Sequence, residues 1–173
     1  VDRELAALGD QARALGQPYW LWLAQTWRAL QAWVDGEEAA ADALAHALLL
    51  APRYLPAMLN LADLHRARGR DDLAETLLDD AVAAYPESAD ARHSLGLLYV
   101  RTGRMAQSVA LFATASRLAS DNPQYALVHG MALFETGARA AGIAALETAL
   151  RRFPASAPIR QALEGYRSAP AAY

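Results

Sequence analysis

The side chains that could do chemistry are few, and their spacing argues against a reaction centre. The histidines are His46, His65, His93 and His129. No two stand at the i, i+4 spacing that puts paired imidazoles on one helical face, so they do not form a helical metal site. Cysteine is absent, which removes thiol nucleophiles, disulfides and thiolate metal ligands. Ser94 stands beside His93, but adjacent helix residues do not face each other and make no nucleophile–base pair. No nucleophile elbow, phosphate-binding loop or dinucleotide fingerprint occurs. Asp71, Asp72, Asp79 and Asp80 lie around one helical run, where carboxylates complement the helix N-terminus and solvate the surface. Arg66, Arg68 and Arg70 form a local basic cluster that could meet a phosphate or an acidic peptide. Asp71 and Asp72 adjoin that cluster, and cations near a helix C-terminus complement its dipole. The expectation is a protein without catalysis, metal or cofactor.

The elements that carry these residues repeat. Gly69, Gly103 and Gly137 stand 34 residues apart. Leu61, Leu95 and His129 share one slot of that period, and Ala62, Gly96 and Gly130 share the next. Leu78, Phe112 and Leu146 line up, as do Ala81, Ala115 and Ala149. A fixed period of this size marks stacked supersecondary units. In the unit from Ala89 to Asn122, Leu95, Leu98 and Tyr99 fall at i, i+3, i+4, one helix face. Gly103 then interrupts the pattern, suited to the left-handed backbone past a helix end. Met105, Val109, Phe112 and Ala115 continue at helical spacing. A helical pair this thin buries its apolar face only by stacking on neighbours.

That unit reads Arg92-x2-Leu95-Gly96-x2-Tyr99, then Ser108-x3-Phe112 and Ala115. It resembles the tetratricopeptide repeat, W-x2-L-G-x2-Y followed by A-x3-F and P. The unit before it reads Met58-x2-Leu61-Ala62-x2-His65, Ala74-x3-Leu78, Ala81 and Pro86. The unit after it reads Ala126-x2-His129-Gly130-x2-Leu133, Gly142-x3-Leu146, Ala149 and Pro154. An earlier unit reads Ala24-x2-Trp27-Arg28-x2-Gln31, Ala40-x3-Leu44, Ala47 and Pro52. The first aromatic of the motif is absent throughout, Arg28 replaces the small residue of a close helix approach, and Ser120 replaces a proline. The resemblance implies an all-α, right-handed superhelical solenoid of antiparallel helix pairs. The expected organisation is a capping helix or remnant of an upstream repeat at 1–18, four repeats within 21–154 (about 21–54, 55–88, 89–122 and 123–156), and a capping helix at 157–168.

Composition agrees with a helical stack. The hydrophobic fraction of 54% is rich in Ala, which favours helix and close packing. The net charge of −3 gives no global attraction to nucleic acid or anionic membrane. All 16 basic residues are Arg, a bias that with heavy Ala use fits a bacterial coding sequence. The apolar runs are too short and too interrupted by charge to span a bilayer. A bacterial protein, soluble in cytoplasm or periplasm, is the expectation. The start at Val1, in mid-repeat, reads as a segment cut from a longer protein.

Along the chain, helices are expected over 2–15, 37–50, 56–68, 71–84, 90–100, 124–135 and 139–152, with a last one from Ser156 to about Arg167. Ser88 and Asn122 are the expected N-caps, the latter followed by Pro123 at the first helical position. Arg160, Gln161, Glu164 and Arg167 give the last helix the polar face of a cap.

In tetratricopeptide domains the first helix of each pair lines a concave, ligand-holding surface. Carried onto this chain, the resemblance selects Trp22 and Trp33, then Leu59, Asn60, Asp63 and Arg66, then His93, Leu97 and Arg101. From the last unit it selects Leu127, Val128, Met131 and Phe134. All four tryptophans lie between Tyr19 and Val34, where they serve either as partner anchors or as core under the first helix. The implied partner is another protein, as a helix or extended peptide with apolar anchors; nucleic acid and membrane insertion are not expected. Two other readings stand beside this adaptor. One is a self-assembling or spacer module that stacks as a homo-oligomer through its end faces. The other is a regulatory segment of a larger enzyme or of a multihaem or signalling protein.

Overall fold

The computed structural model describes residues 36–168. Every regular element among them is an α-helix, and the architecture is an all-α helical repeat solenoid. The expected helices over 1–35, with Trp22 and Trp33, lie outside the described residues. The chain divides into two units, Val1–Tyr85 and Pro86–Tyr173.

The described part of the first unit holds α1 (Glu37–Leu50), α2 (Leu55–Ala67) and α3 (Asp71–Ala84). Ala40, Ala41, Leu44 and Ala47 follow helical spacing on α1 and are buried. Ala40, Ala41 and Leu44 meet Ala57, Leu61 and Leu64 of α2 in one apolar cluster, against which Leu48, Tyr54 and Leu77 pack. Pro56 occupies the first turn of α2, where a missing N–H leaves no hydrogen bond unmade. The Tyr85 hydroxyl donates to the carbonyl of Arg53, tying the end of α3 to the α1–α2 connection.

The second unit holds α4 (Ala89–Arg101), α5 (Met105–Leu118), α6 (Pro123–Glu135), α7 (Arg139–Arg152) and α8 (Ala157–Ser168). Helices consecutive in sequence pack on each other, and α8 also lies against α6. Both expected caps form. Ser88 Oγ accepts from the Ala91 N–H at 3.1 Å, and Asn122 Oδ1 accepts from the Gln124 N–H at 2.9 Å. Helices α2, α4 and α6 each begin one residue earlier than the apolar pattern indicates.

Glycine sets the geometry in two ways. Gly69, Gly103 and Gly137 take φ of 70°, 78° and 88°, the left-handed turn that ends the first helix of each pair. Gly96 and Gly130 instead admit a neighbour: a Cβ at Gly96 would lie 2.5 Å from the Phe112 ring, and one at Gly130 2.6 Å from Leu146. Helices α6 and α7 approach still more closely, because a Cβ at Gly142 would lie 2.7 Å from the Phe134 nitrogen. Thus the small slot of the repeat is a packing requirement, and large side chains of the second helix fill the space it leaves.

Candidate binding face

Apart from Leu127, the described residues selected from the repeat fall on the sides of α2, α4 and α6 that the core does not fully cover. On α2, Leu59 is half-buried, and Asn60 and Asp63 are exposed. Arg66 pairs with Asp63 at 2.9 Å, one turn apart on the same helix. This surface pair holds the guanidinium near the helix but contributes little stability.

On α4, His93, Leu97 and Arg101 follow one another at helical spacing. The His93 ring lies 5.5 Å from Phe112 and 4.8 Å from Tyr125, centroid to centroid and tilted against both. It is therefore an aromatic spacer between α5 and α6. The Tyr125 hydroxyl donates to Asp90 Oδ1. Burial and then that carboxylate push its pKa up to about 12. Leu97 is half-buried and Arg101 exposed.

On α6, Met131 is 38% exposed, a large apolar side chain left open to solvent. Phe134 is placed differently. Its ring stacks on Tyr166 of α8 with centroids 3.6 Å apart and planes 3° from parallel. The Arg139 guanidinium sits 4.9 Å from the same ring. The Tyr166 hydroxyl donates to Glu135 Oε1 at 3.0 Å, and the Arg139 guanidinium donates to the Tyr166 carbonyl at 3.0 Å. One face of Phe134 is thus covered by the last helix. Leu127, expected in the groove, is buried instead: it joins Leu146, Ile159 and Leu163 in the core that α8 closes. The sequence carried a signal for this in the helical spacing of Ile159 and Leu163, which needs an apolar partner.

His65 and His129 sit in the helical stack, whereas His46 is exposed. The Nδ1 of His65 is buried without a hydrogen-bond partner. Burial, then the charges of Arg70 and Arg68, lower its pKa, with Asp72 opposing. Burial alone lowers that of His129. Among the described residues, no three of His, Asp and Glu converge as metal ligands, and no helix is long and apolar enough to cross a membrane.

A family model described as tetratricopeptide repeat matches residues 35–89 and 59–123. Together these cover more than half of the chain. The chain belongs to the tetratricopeptide-repeat family. Solved structures agree on the fold. A thermophilic TPR protein of Thermus thermophilus aligns with a TM-score of 0.68 at 20% identity, over 96% of this chain and 98% of its own. MamA from Desulfovibrio magneticus aligns with a TM-score of 0.69 at 20% identity, over 90% and 87%. An O-GlcNAc transferase variant of Thermobaculum terrenum aligns with a TM-score of 0.67 at 27% identity, over 76% of this chain. This TPR chain spans only 26% of that transferase's length. No curated protein matches the chain. TPR folds are in general protein–protein interaction modules.

Proposed function

We propose that this TPR chain is a non-catalytic adaptor that binds a helix or extended peptide of another protein on the first-helix faces. The observation that carries this reading is the pair Leu97 and Met131. They occupy one repeat slot, 34 residues apart, and both are left incompletely covered on neighbouring first helices of one unit. A partner with apolar anchors at matching spacing would cover them. Within the second unit Arg101 supplies a polar group that orients a backbone. In the first unit, Leu59, Asn60 and the Asp63–Arg66 pair are proposed to play the same parts on α2. Phe134 contributes the edge of a ring already held by Tyr166. Trp22 and Trp33 are proposed as further anchors. The outer face of α8 exposes Arg160, Gln161, Glu164 and Arg167, a polar end that disfavours stacking of copies through it.

The test is a binding selection from a displayed peptide library against the full chain, repeated on Leu97→Glu/Met131→Glu. The wild type should enrich peptides with apolar anchors, and the double variant, at unchanged helicity, should lose them. Equal enrichment by both would sink the groove. A second reading, a TPR segment of a larger enzyme, draws on the match to part of the transferase. A catalytic domain encoded in frame beside this chain would support it, and an isolated reading frame would exclude it.

A further inference from the structure

One hollow in the second unit departs from the repeat around it. It encloses roughly 410 Å³, with Ser116 of α5, His129 of α6, and Ala145, Thr148 and Arg152 of α7 in its wall, beside Phe153. The residues 34 positions before Ser116, His129, Ala145 and Arg152 are Val82, Leu95, Leu111 and Leu118. One period earlier again, the first three slots hold Leu48, Leu61 and Leu77. There they are core: Leu61 is 5% exposed in an apolar cluster, with Leu48 and Leu77 packed against it. Apolar residues have therefore become Ser, His, Ala and Arg at four slots that converge on a single hollow. Ala145 leaves empty the volume a Leu would fill, and the other three bring polar groups to the wall.

The polar groups suit one chemistry. The Arg152 guanidinium donates to Ser120 Oγ at 3.1 Å and lies 5.7 Å from the Phe153 ring centroid, so it is held at the rim. It is the one charged group in the lining. His129 is desolvated, so near neutral pH it offers a hydrogen bond rather than a second positive charge. A single fixed guanidinium balances a single negative charge, and its planar fork fits a carboxylate. A phosphate dianion would leave one charge unmatched in a hollow walled largely by alanine.

We infer that this hollow binds a small monocarboxylic acid, with the carboxylate on Arg152 and a short apolar body against Ala145 and Phe153. The site is separate from the first-helix faces, and it stands whether or not a peptide binds there. Titrating the full chain with hexanoate, followed by NMR at the His129 imidazole, tests it. A saturable shift is expected, absent with the neutral amide hexanamide and at least about tenfold weaker in Arg152→Leu. Ala145→Leu, which refills the hollow with the residue of the preceding unit, should keep helicity and lose the response. No saturable shift, an equal response to hexanamide, or unchanged binding by Arg152→Leu would overturn the proposal. Stronger saturable binding of inorganic phosphate would overturn the monocarboxylate, and tighter binding of a blocked glutamyl peptide would replace the free acid with a partner's side chain.

Discussion

Gly103 and Gly142 are both required to be glycine, for different physical reasons, and substitution separates them. Gly103 has φ of 78° and nothing within 4 Å of a built Cβ. The cost of Gly103→Ala is backbone strain alone, about 1–2 kcal/mol. Gly103→Asn should recover much of it, because Asn tolerates the left-handed region. Gly142 is helical, and a Cβ there would lie 2.7 Å from the Phe134 nitrogen and 2.8 Å from the Gly130 carbonyl oxygen. Backbone cannot move aside as a side chain can, so Gly142→Ala should destabilise by about 1–3 kcal/mol and Gly142→Asn by more. Urea unfolding of the four variants checks this; rescue of position 142 by Asn would refute the close-packing account. The first role was legible from the 34-residue recurrence of Gly. The second was half legible: the Ala62, Gly96, Gly130 slot announced itself, but Gly142 stands in a slot that holds Ala74 and Ser108 elsewhere, and only the helix approach shows why a methyl is excluded.

Histidine titration belongs to the same scale. His65 and His129 have folded pKa values lowered below the ordinary 6.5. The unfolded chain therefore binds protons that the folded chain refuses. Stability is fully present above 6.5 and is lost as pH falls from there through the folded values. The melting temperature should drop on acidification below about pH 6.5. Replacing His129 by Leu, the residue of its slot in both preceding units, should flatten that slope. A melting temperature that is unchanged down to pH 5, or a slope untouched by His129→Leu, would contradict the burial argument.

At the scale of the element, α8 shows where repeat logic ends. Its polar face was legible, because Arg160, Gln161, Glu164 and Arg167 recur at helical spacing. The contacts of its inner face were not. Tyr166 stacks on Phe134, donates to Glu135 and accepts from Arg139, a cluster made by residues outside the recurring slots. Repeat phase places a residue by analogy with its slot in another unit, and contacts made outside the recurring slots have no such guide. For the same reason Leu127 was read as groove and is core. Tyr166→Ala should destabilise the second unit by about 1–3 kcal/mol, through lost stacking and burial. Tyr166→Phe, which keeps the stack and loses the bond to Glu135, should cost about 1 kcal/mol or less. Equal losses would show that the hydroxyl, not the ring, holds α8. The phenols also report their partners. Tyr125 and Tyr166 are pushed up to about 12 by burial and by Asp90 and Glu135. Their contribution is complete below the ordinary tyrosine value near 10 and lost as pH rises from there to about 12. Alkaline absorbance titration should show late-ionising phenols, one fewer in Tyr125→Phe and one fewer in Tyr166→Phe.

At the scale of the whole molecule, the chain carries a net charge of −3, and the ion pair on the proposed binding face, Arg66 with Asp63, lies within one helix. A net charge this small gives no global attraction for a charged partner. The family and the helical repeat were legible here because a solenoid writes its architecture as a period. The partner was not, because a period fixes which residues recur and leaves the variable slots, where Leu97 and Met131 stand, free to differ. What those slots hold is apolar surface, and apolar burial responds to salt weakly. The affinity of a library-selected partner should therefore change by less than about threefold between about 0.1 M and 0.5 M salt, and binding should carry a negative heat-capacity change. Calorimetry at the two salt concentrations and several temperatures measures both. A steep fall of affinity with salt, of the kind produced when cations neutralise several phosphates, would point instead to Arg66, Arg68 and Arg70 as the contact and to an acidic ligand. Arg68→Gln/Arg70→Gln would then weaken binding where Leu97→Glu/Met131→Glu did not. The adaptor reading requires the opposite ranking of these two double variants.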